Sequence, residues 1–303
     1  MSQQNLWGID LGGTKVEGVI LKSAEDPQVL FRDRLPTESE KGYDHIVSRI
    51  LQLVQKMSDA VGYKPSFIGM GTPGAIDPIT GTLKNSNSLS LIGKPLREDL
   101  ERLTGAKVQL ENDANCFALA ETRMGIVKEK YPNAKVVFGV IMGTGVGGGL
   151  VVNEQTINGL QSIGGEWGHN FLDESGGPCY CGKSGCVEQV LSGPALERYY
   201  SQVAGSKKSL KDIYKDHLAG TDKFATQTMK RLTENFGKAI SVIINIIDPD
   251  VIVIGGGVGN IDLIYTEGVE ETAKYVFNLR LDTPIVKPKL GDSAGVFGAA
   301  YLK

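Results

Sequence analysis

Short apolar runs recur along the first third of the chain, each cut by glycines or polar residues. Residues 5–35 read as three short strands with turns at Gly12-Gly13 and at 23–27, a meander suited to one edge of a sheet. Between 43 and 61 the period changes. Ile46, Ile50, Leu53, Val54 and Met57 recur at helical spacing and predict an amphipathic helix packed on that sheet. Residues 67–70 form a buried strand that runs into Gly71-Thr72-Pro73-Gly74. A helix over 95–103, with Pro95 near its start, a strand over 108–110 and a helix over 116–123 follow. The pattern then begins again. Strands are predicted over 136–142 and 150–152, helices within 194–247 with a long run over 225–247, and a strand over 251–254. The end of the chain, 291–302, predicts a helix whose Ala294, Gly295, Gly298, Ala299 and Ala300 permit close packing. Strands alternating with helices predict an α/β architecture, and 303 residues are enough for two domains.

Three glycine turns stand at the ends of predicted strands. The first is Asp10-Leu11-Gly12-Gly13-Thr14-Lys15, the second Gly143-Thr144-Gly145, the third Gly255-Gly256-Gly257. Glycine leaves out the Cβ and tolerates positive φ, so such a turn can bring backbone close to a phosphate. Asp10 is placed to hold a hydrated Mg²⁺ through its carboxylate, with Thr14 and Lys15 offering a hydroxyl and a cation beside it. The spacing fits neither a Walker A loop nor G-x-G-x-x-G. Taken singly, each turn is also satisfied by a plain glycine hairpin, and Gly71 to Gly74 by a β-turn. At the end of strand 108–110, Glu111-Asn112-Asp113-Ala114-Asn115 crowds four polar side chains into five positions, of which helix N-capping explains one. The polar stretch 81–90, including Asn87, could line a polar ligand or be solvated loop.

The most specific local signal is His169 followed by Cys179, Cys181 and Cys186. One imidazole and three thiols within 18 residues, with glycines between, suit a tetrahedral zinc site. A saturated shell of this kind is structural, without an open position for water; the alternative is a set of buried free thiols. Cys116 is remote in sequence and reads as a small core residue. Glu166 and Glu188 flank the cysteines and would be carried by the same loop.

Charge and composition narrow the partners. A net charge of −3 argues against a nucleic-acid footprint. No apolar segment approaches membrane-spanning length, since 240–247 is broken by Ser241 and Asn245. The N-terminal residues show no signal-peptide pattern, so the expectation is a cytoplasmic protein with its four cysteines unpaired.

Together these motifs resemble the ROK (repressor, open reading frame, kinase) family of sugar kinases. That family shares the two-domain actin and hexokinase-like (ribonuclease H-like) ATPase fold. The resemblance spans essentially the whole chain. It rests on Asp10 to Lys15, Gly71 to Gly74, Asn112 to Asn115, Gly143 to Gly145, Gly165-Glu166-Trp167-Gly168-His169, the cysteine cluster and Asp248-Pro249-Asp250. It implies an N-terminal α/β domain of residues 1–118 completed by 289–303, and a C-terminal α/β domain of 119–288 that carries the zinc loop and a dimerisation surface, with a cleft between them. It implies ATP and Mg²⁺ at Asp10, Gly12, Gly13, Thr14, Lys15, Gly143, Thr144, Gly145, Gly255, Gly256 and Gly257. Asp113 would be the general base toward the attacking sugar hydroxyl. Gly71, Asn87, Asn112, Asp113, Glu166, His169 and Glu188 would surround the sugar. His169 would ligate structural Zn²⁺ with Cys179, Cys181 and Cys186 while its second ring nitrogen meets the sugar. A homodimer is expected on the same grounds.

Glu166-Trp167-Gly168-His169-Asn170 and Lys84 to Ser88 look most like the fructokinase and mannokinase branch, whereas Gly93-Lys94-Pro95-Leu96 also looks like the N-acetylglucosamine kinase branch. The expectation is transfer to the 6-hydroxyl of fructose, mannose or glucose, with N-acetylglucosamine or N-acetylmannosamine second. Three other readings compete, among them a related kinase acting on acetate or glycerol, against which the zinc cluster speaks. A sugar-responsive repressor would add an N-terminal DNA-binding domain, and the first strand here begins about five residues in. A non-catalytic sugar-binding protein would not need Asp10 and Asp113, and both are present.

Overall fold

The computed structural model describes residues 5–86 and 88–302, so Asn87, expected over the sugar, lies outside the described residues. In the first half of the chain β1 (Leu6–Leu11), β2 (Lys15–Leu21) and β3 (Val29–Pro36) form the meander, and α1 (Tyr43–Val61) follows. Next come β4 (Phe67–Thr72), a small ribbon of β5 (Ala75–Ile76) and β6 (Leu83–Lys84), then α2 (Leu96–Thr104), β7 (Lys107–Asn112), α3 (Asp113–Arg123) and α4 (Ile126–Lys130). The second half contains β8 (Val136–Met142), β9 (Val146–Val152), β10 (Gln155–Thr156), α5 (Glu188–Leu191), α6 (Gly193–Ala204), α7 (Leu210–Ala219) and α8 (Lys223–Ile247). It ends with β11 (Val251–Gly255), α9 (Glu267–Ala273), β12 (Ile285–Val286) and α10 (Ala294–Ala300).

The chain divides into two units: Met1–Pro132 with Gly149–Gly164 and Lys289–Lys303, and Asn133–Gly148 with Gly165–Pro288. In the first, a five-stranded sheet has the order β3-β2-β1-β4-β7. The meander pairs antiparallel, while β1, β4 and β7 run parallel. The predicted face of α1 is the buried one: Ile46, Ile50, Leu53, Val54 and Met57 all lie in the core. Burial of each such side chain stabilises the fold by roughly 1.5–3 kcal/mol. Helix α10 packs on α3, β1 and β4. A Cβ on Gly69 would collide with the Ala299 carbonyl, and one on Gly298 with that of Cys116, so backbone meets backbone there.

The expected domain boundary after residue 118 is displaced to Pro132. Helix α3 runs unbroken through 118, and the fully buried Glu121 near its end accepts the backbone N–H groups of Ile126 (2.8 Å), Lys289 (3.1 Å) and Leu290 (2.9 Å). Residues 149–164 also belong to the first unit. Asn115 on α3 accepts the Leu150 N–H at 3.1 Å and donates to Asn158 at 3.1 Å, while Glu111 accepts the Thr156 hydroxyl at 2.8 Å.

The second unit contributes to a sheet of order β10-β9-β8-β11-β12. Strand β11 pairs parallel with both β8 and β12. Helix α8 buries Met229, Leu232, Phe236, Ile240 and Ile244. The helical stretch 194–247 resolves into three helices. It breaks where Gly205 (φ 70°) and Gly220 (φ 66°) cap α6 and α7 in the left-handed region. Strand β12, two residues long, is too short for any periodicity to reveal. Among the described residues no helix is long and apolar enough to cross a membrane.

Candidate active site

In the first unit the β1–β2 turn is closed by the Gly12 N–H on the Lys15 carbonyl at 2.8 Å. Its outward carbonyls are tied down: Gly12 by the Thr37 hydroxyl (2.8 Å), Gly13 by the Ser39 hydroxyl (3.0 Å). Neither Gly12 nor Gly13 uses positive φ, so the turn owes nothing to that freedom; what the glycines contribute is the missing side chains. Asp10 is next to last in β1, with its carboxylate between two glycine backbones. A Cβ on Gly71 would lie 3.1 Å from Oδ1, and one on Gly295 3.1 Å from Oδ2. Burial first, then the charges of Asp113 and Glu17, push the Asp10 carboxyl up to about 7, with Lys15 pulling the other way. A carboxyl so short of positive charge suits a divalent cation.

Asp113 opens α3. The residue before it, Asn112, caps that helix: its Oδ1 accepts the N–H groups of Ala114 (2.9 Å) and Asn115 (3.4 Å). Its Nδ2 donates to the Gly74 carbonyl at 3.3 Å, which leaves one amide hydrogen for another partner. Asp113 itself accepts the Ala114 N–H at 2.9 Å. The polar crowding at 111–115 is thereby resolved: Glu111 and Asn115 fasten the chain, Asn112 caps, and Asp113 occupies the helix start. Lys15 lies 3.3 Å from Glu17, a buried carboxylate that also receives Arg32 (2.7 Å) and Arg34 (3.3 Å). Burial alone would raise the Glu17 carboxyl. The Arg32 hydrogen bond and the charges of Arg32, Lys15 and Arg34 outweigh it and hold the group below its ordinary range.

In the second unit the Gly143 N–H bonds the Gly145 carbonyl at 2.9 Å, and the Gly193 N–H bonds the Gly143 carbonyl at 2.8 Å. The third turn adjoins this one: a Cβ on Gly143 would lie 3.8 Å from the Gly257 nitrogen. Gly255 is the buried last residue of β11, and Gly256 turns the chain at φ 82°. Between the turns and the helices opens a cavity of about 630 Å³, lined by Thr144, Pro194, Glu197, Tyr214, Gly257 and Ile261 among others.

His169, Cys179, Cys181 and Cys186 converge, with their ligand atoms all within 4.8 Å of one another. The Cys179 sulfur lies 3.6 Å from His169 Nδ1, and the Cys181 and Cys186 sulfurs lie 3.6 Å apart. A tetrahedral zinc site with bonds of about 2.0–2.3 Å has edges of roughly 3.5–3.8 Å, so the residues fit that ion. Cys116 stays apart, fully buried in the first unit, and burial raises its thiol well above the ordinary range. Glu166 is half-buried. Burial and the Glu188 charge raise its carboxyl against the opposing pull of His169. Glu188 opens α5, where one of its oxygens accepts the Val146 N–H at 3.0 Å. A Cβ on Gly145 would stand 2.7 Å from that oxygen. Glu188 thus braces the glycine turn as well as carrying the expected sugar role. The residue the motifs did not single out is Tyr180, whose hydroxyl lies 2.9 Å from His169 Nε2, with the rings edge-on at 5.1 Å. The only sign of it in the sequence is an aromatic residue between two metal-type cysteines.

A sequence profile of the ROK family matches residues 6–303. The chain belongs to the ROK family. It is 36% identical over 307 residues to an N-acetyl-D-glucosamine kinase of Vibrio parahaemolyticus, with 98% of each chain covered. A second N-acetyl-D-glucosamine kinase, from Vibrio cholerae, is 37% identical over 306 residues, again with 98% of each chain covered. Among solved structures, the ROK hexokinase of Thermus thermophilus superimposes with a TM-score of 0.87 at 29% identity, covering 99% of this chain and 97% of that one. A ROK glucokinase of Streptomyces griseus, solved with glucose and AMPPNP, gives 0.78 at 26% identity with 99% of both covered. The actin and hexokinase-like α/β fold expected of this ROK chain is the fold it has.

Proposed function

We propose that this ROK protein is an ATP-dependent sugar kinase whose preferred acceptor is N-acetyl-D-glucosamine. What carries the reading is the end-to-end likeness to N-acetyl-D-glucosamine kinases, 36% identical over 98% of both chains. That likeness favours the sugar placed second on sequence motifs over the fructose, mannose or glucose placed first. In this reading the sugar's 6-hydroxyl attacks the γ-phosphorus of ATP. The new bond is O6–P, the bond to the departing ADP oxygen breaks, and the hydroxyl proton passes to Asp113. A sugar hydroxyl is a weak acid, so Asp113 accepts the proton late and need not remove it beforehand. Phosphoryl transfer depends on positioning and charge stabilisation more than on covalent help, which suits a site built of glycine turns and carboxylates.

The 630 Å³ cavity beside Gly143, Thr144 and Gly257 has the size for a nucleoside, and the β1–β2 turn with Lys15 has the chemistry for phosphate. Asp10 would hold Mg²⁺, which when bound would supply neutralisation of phosphoryl charge. Asn112, Glu166, His169 and Glu188 serve the sugar hydroxyls, each of which would cost about 1–3 kcal/mol if buried without a partner. His169, Cys179, Cys181 and Cys186 would hold zinc, which would fix the loop and supply no chemistry to the transfer. The homodimer expected of the resemblance belongs to this reading, and a mass from light scattering tests it.

The test of function is ADP release with Mg-ATP across N-acetylglucosamine, N-acetylmannosamine, glucose, mannose and fructose. The highest kcat/KM is expected with N-acetylglucosamine. A preference of tenfold or more for fructose, mannose or glucose would reject the acceptor and keep the kinase; silence across the panel from zinc-loaded, folded protein would reject both.

A further inference from the structure

In the cysteine loop, His169 presents Nδ1 to the thiol cluster, 3.6 Å from the Cys179 sulfur. A ring nitrogen that ligates a metal uses its lone pair, so the ring proton resides on Nε2. That N–H is the group a sugar oxygen would need. In this structure Nε2 has a partner already, the Tyr180 hydroxyl at 2.9 Å; with zinc on Nδ1 that hydroxyl would accept from it. The two rings meet edge-on at 5.1 Å and 88°. The phenol oxygen makes the hydrogen bond that a sugar oxygen would need from this ring.

We propose that Tyr180 is an internal competitor for the sugar subsite: its hydroxyl holds His169 Nε2–H in the empty protein and gives it up when a sugar hydroxyl binds. The proposal rests on the sugar-kinase reading above. The backbone around Tyr180 leaves the side chain as the part that moves. The Cys179 N–H bonds the Lys183 carbonyl (2.8 Å), and the Gly182 N–H bonds the Cys179 carbonyl (3.0 Å), closing a tight turn on either side of it. The Tyr180 side chain is 72% exposed, so rotation carries it into solvent without displacing core residues. The exchange trades one neutral hydrogen bond for another. The internal one therefore weakens sugar binding by about two- to tenfold, the equilibrium equivalent of a single net hydrogen bond. It also sets a threshold: a ligand that offers no oxygen to His169 does not displace the tyrosine.

The experiment compares zinc-loaded wild type with Tyr180→Phe, which keeps the ring and removes the oxygen. Calorimetric titration with N-acetylglucosamine should give a Kd two- to tenfold lower in the variant. An unchanged or higher Kd, with wild type binding normally, overturns the competitor role alone. No binding of any panel sugar by wild type overturns the kinase reading and this proposal with it. A second measurement does not depend on sugar. In the nitrogen-15 spectrum of the histidine rings, the His169 Nε2 proton should exchange slowly in wild type and rapidly in Tyr180→Phe. Equal exchange rates would show that the hydroxyl does not hold that proton, and would overturn the proposal directly. Zinc content and melting temperature of the variant should match wild type, because the changed atom is at the surface.

Discussion

The Asp10–Asp113 corner of the first unit and the cysteine loop of the second are held by opposite means. Asp10 stands near the end of a strand, paired on both sides and between two glycine backbones, and Asp113 opens a helix capped by its neighbour Asn112. Regular structure does the positioning, and the electrostatic cost is concentrated on Asp10 itself. Around His169 there is little regular structure: a short 3₁₀ turn, two isolated β-bridges and a four-residue helix. Order there comes from four ligand atoms drawn together within 4.8 Å. A group whose charge must be unfavourable before its cation binds is best placed on a rigid scaffold. Groups that grip a neutral polar ligand can ride on a loop, provided something ties the loop down.

The largest effect that separates the two regions is chemical. Asp113→Ala should lower kcat by about 10²–10⁴-fold while sugar Kd changes by only a few-fold, because a general base contributes that much to the rate. A residual kcat above about a tenth of normal would remove Asp113 as the base.

Zinc removal should act on the other region. After chelation, amide exchange should accelerate throughout 165–191 and sugar binding should be lost, while protection of β1, β2 and β4 holds. Equal loss of protection in both units would mean that the metal supports the whole chain and that the contrast fails.

The smallest effect is on stability. The Asp10 carboxyl is raised from 3.8 to about 7 in the fold. Its protonation therefore adds stability that is fully present below about 3.8 and lost as pH rises through about 7. Without Mg²⁺, Asp10→Asn should melt higher than wild type at pH 8, with the advantage shrinking toward pH 5, even though the variant is inactive. A gap independent of pH would place the strain elsewhere. Glu166 is raised in the same sense by burial, so changing it to Gln should give a gain of the same sign but smaller.

Much of this was legible in the sequence, for physical reasons that differ from place to place. The period of 43–61 gave α1 because a nineteen-residue amphipathic pattern is hard to mistake. The metal cluster was legible because His and Cys at that spacing have few other uses. Three things were not. The division at Pro132 depends on Glu121 binding the N–H groups of Lys289 and Leu290, over 160 residues away, and no local pattern encodes such a partner. The polar stretch around Leu83 hides a buried strand residue inside a run that reads as solvated loop. Tyr180 was passed over because a tyrosine in a surface loop is ordinary until its hydroxyl is seen against His169.

One feature of the second unit bears on how this protein can change over time. Gly145 and Glu188 are 43 positions apart and share one small volume, in which Oε2 of Glu188 fills the space a side chain at 145 would need. Alanine at 145 would force the carboxylate off the Val146 amide. Aspartate at 188 would make room but fall short of that amide. Either change costs the Val146 bond, so the glycine turn at 145 and the loop that holds Glu188 form one mechanical unit, and neither position can be altered without regard to the other.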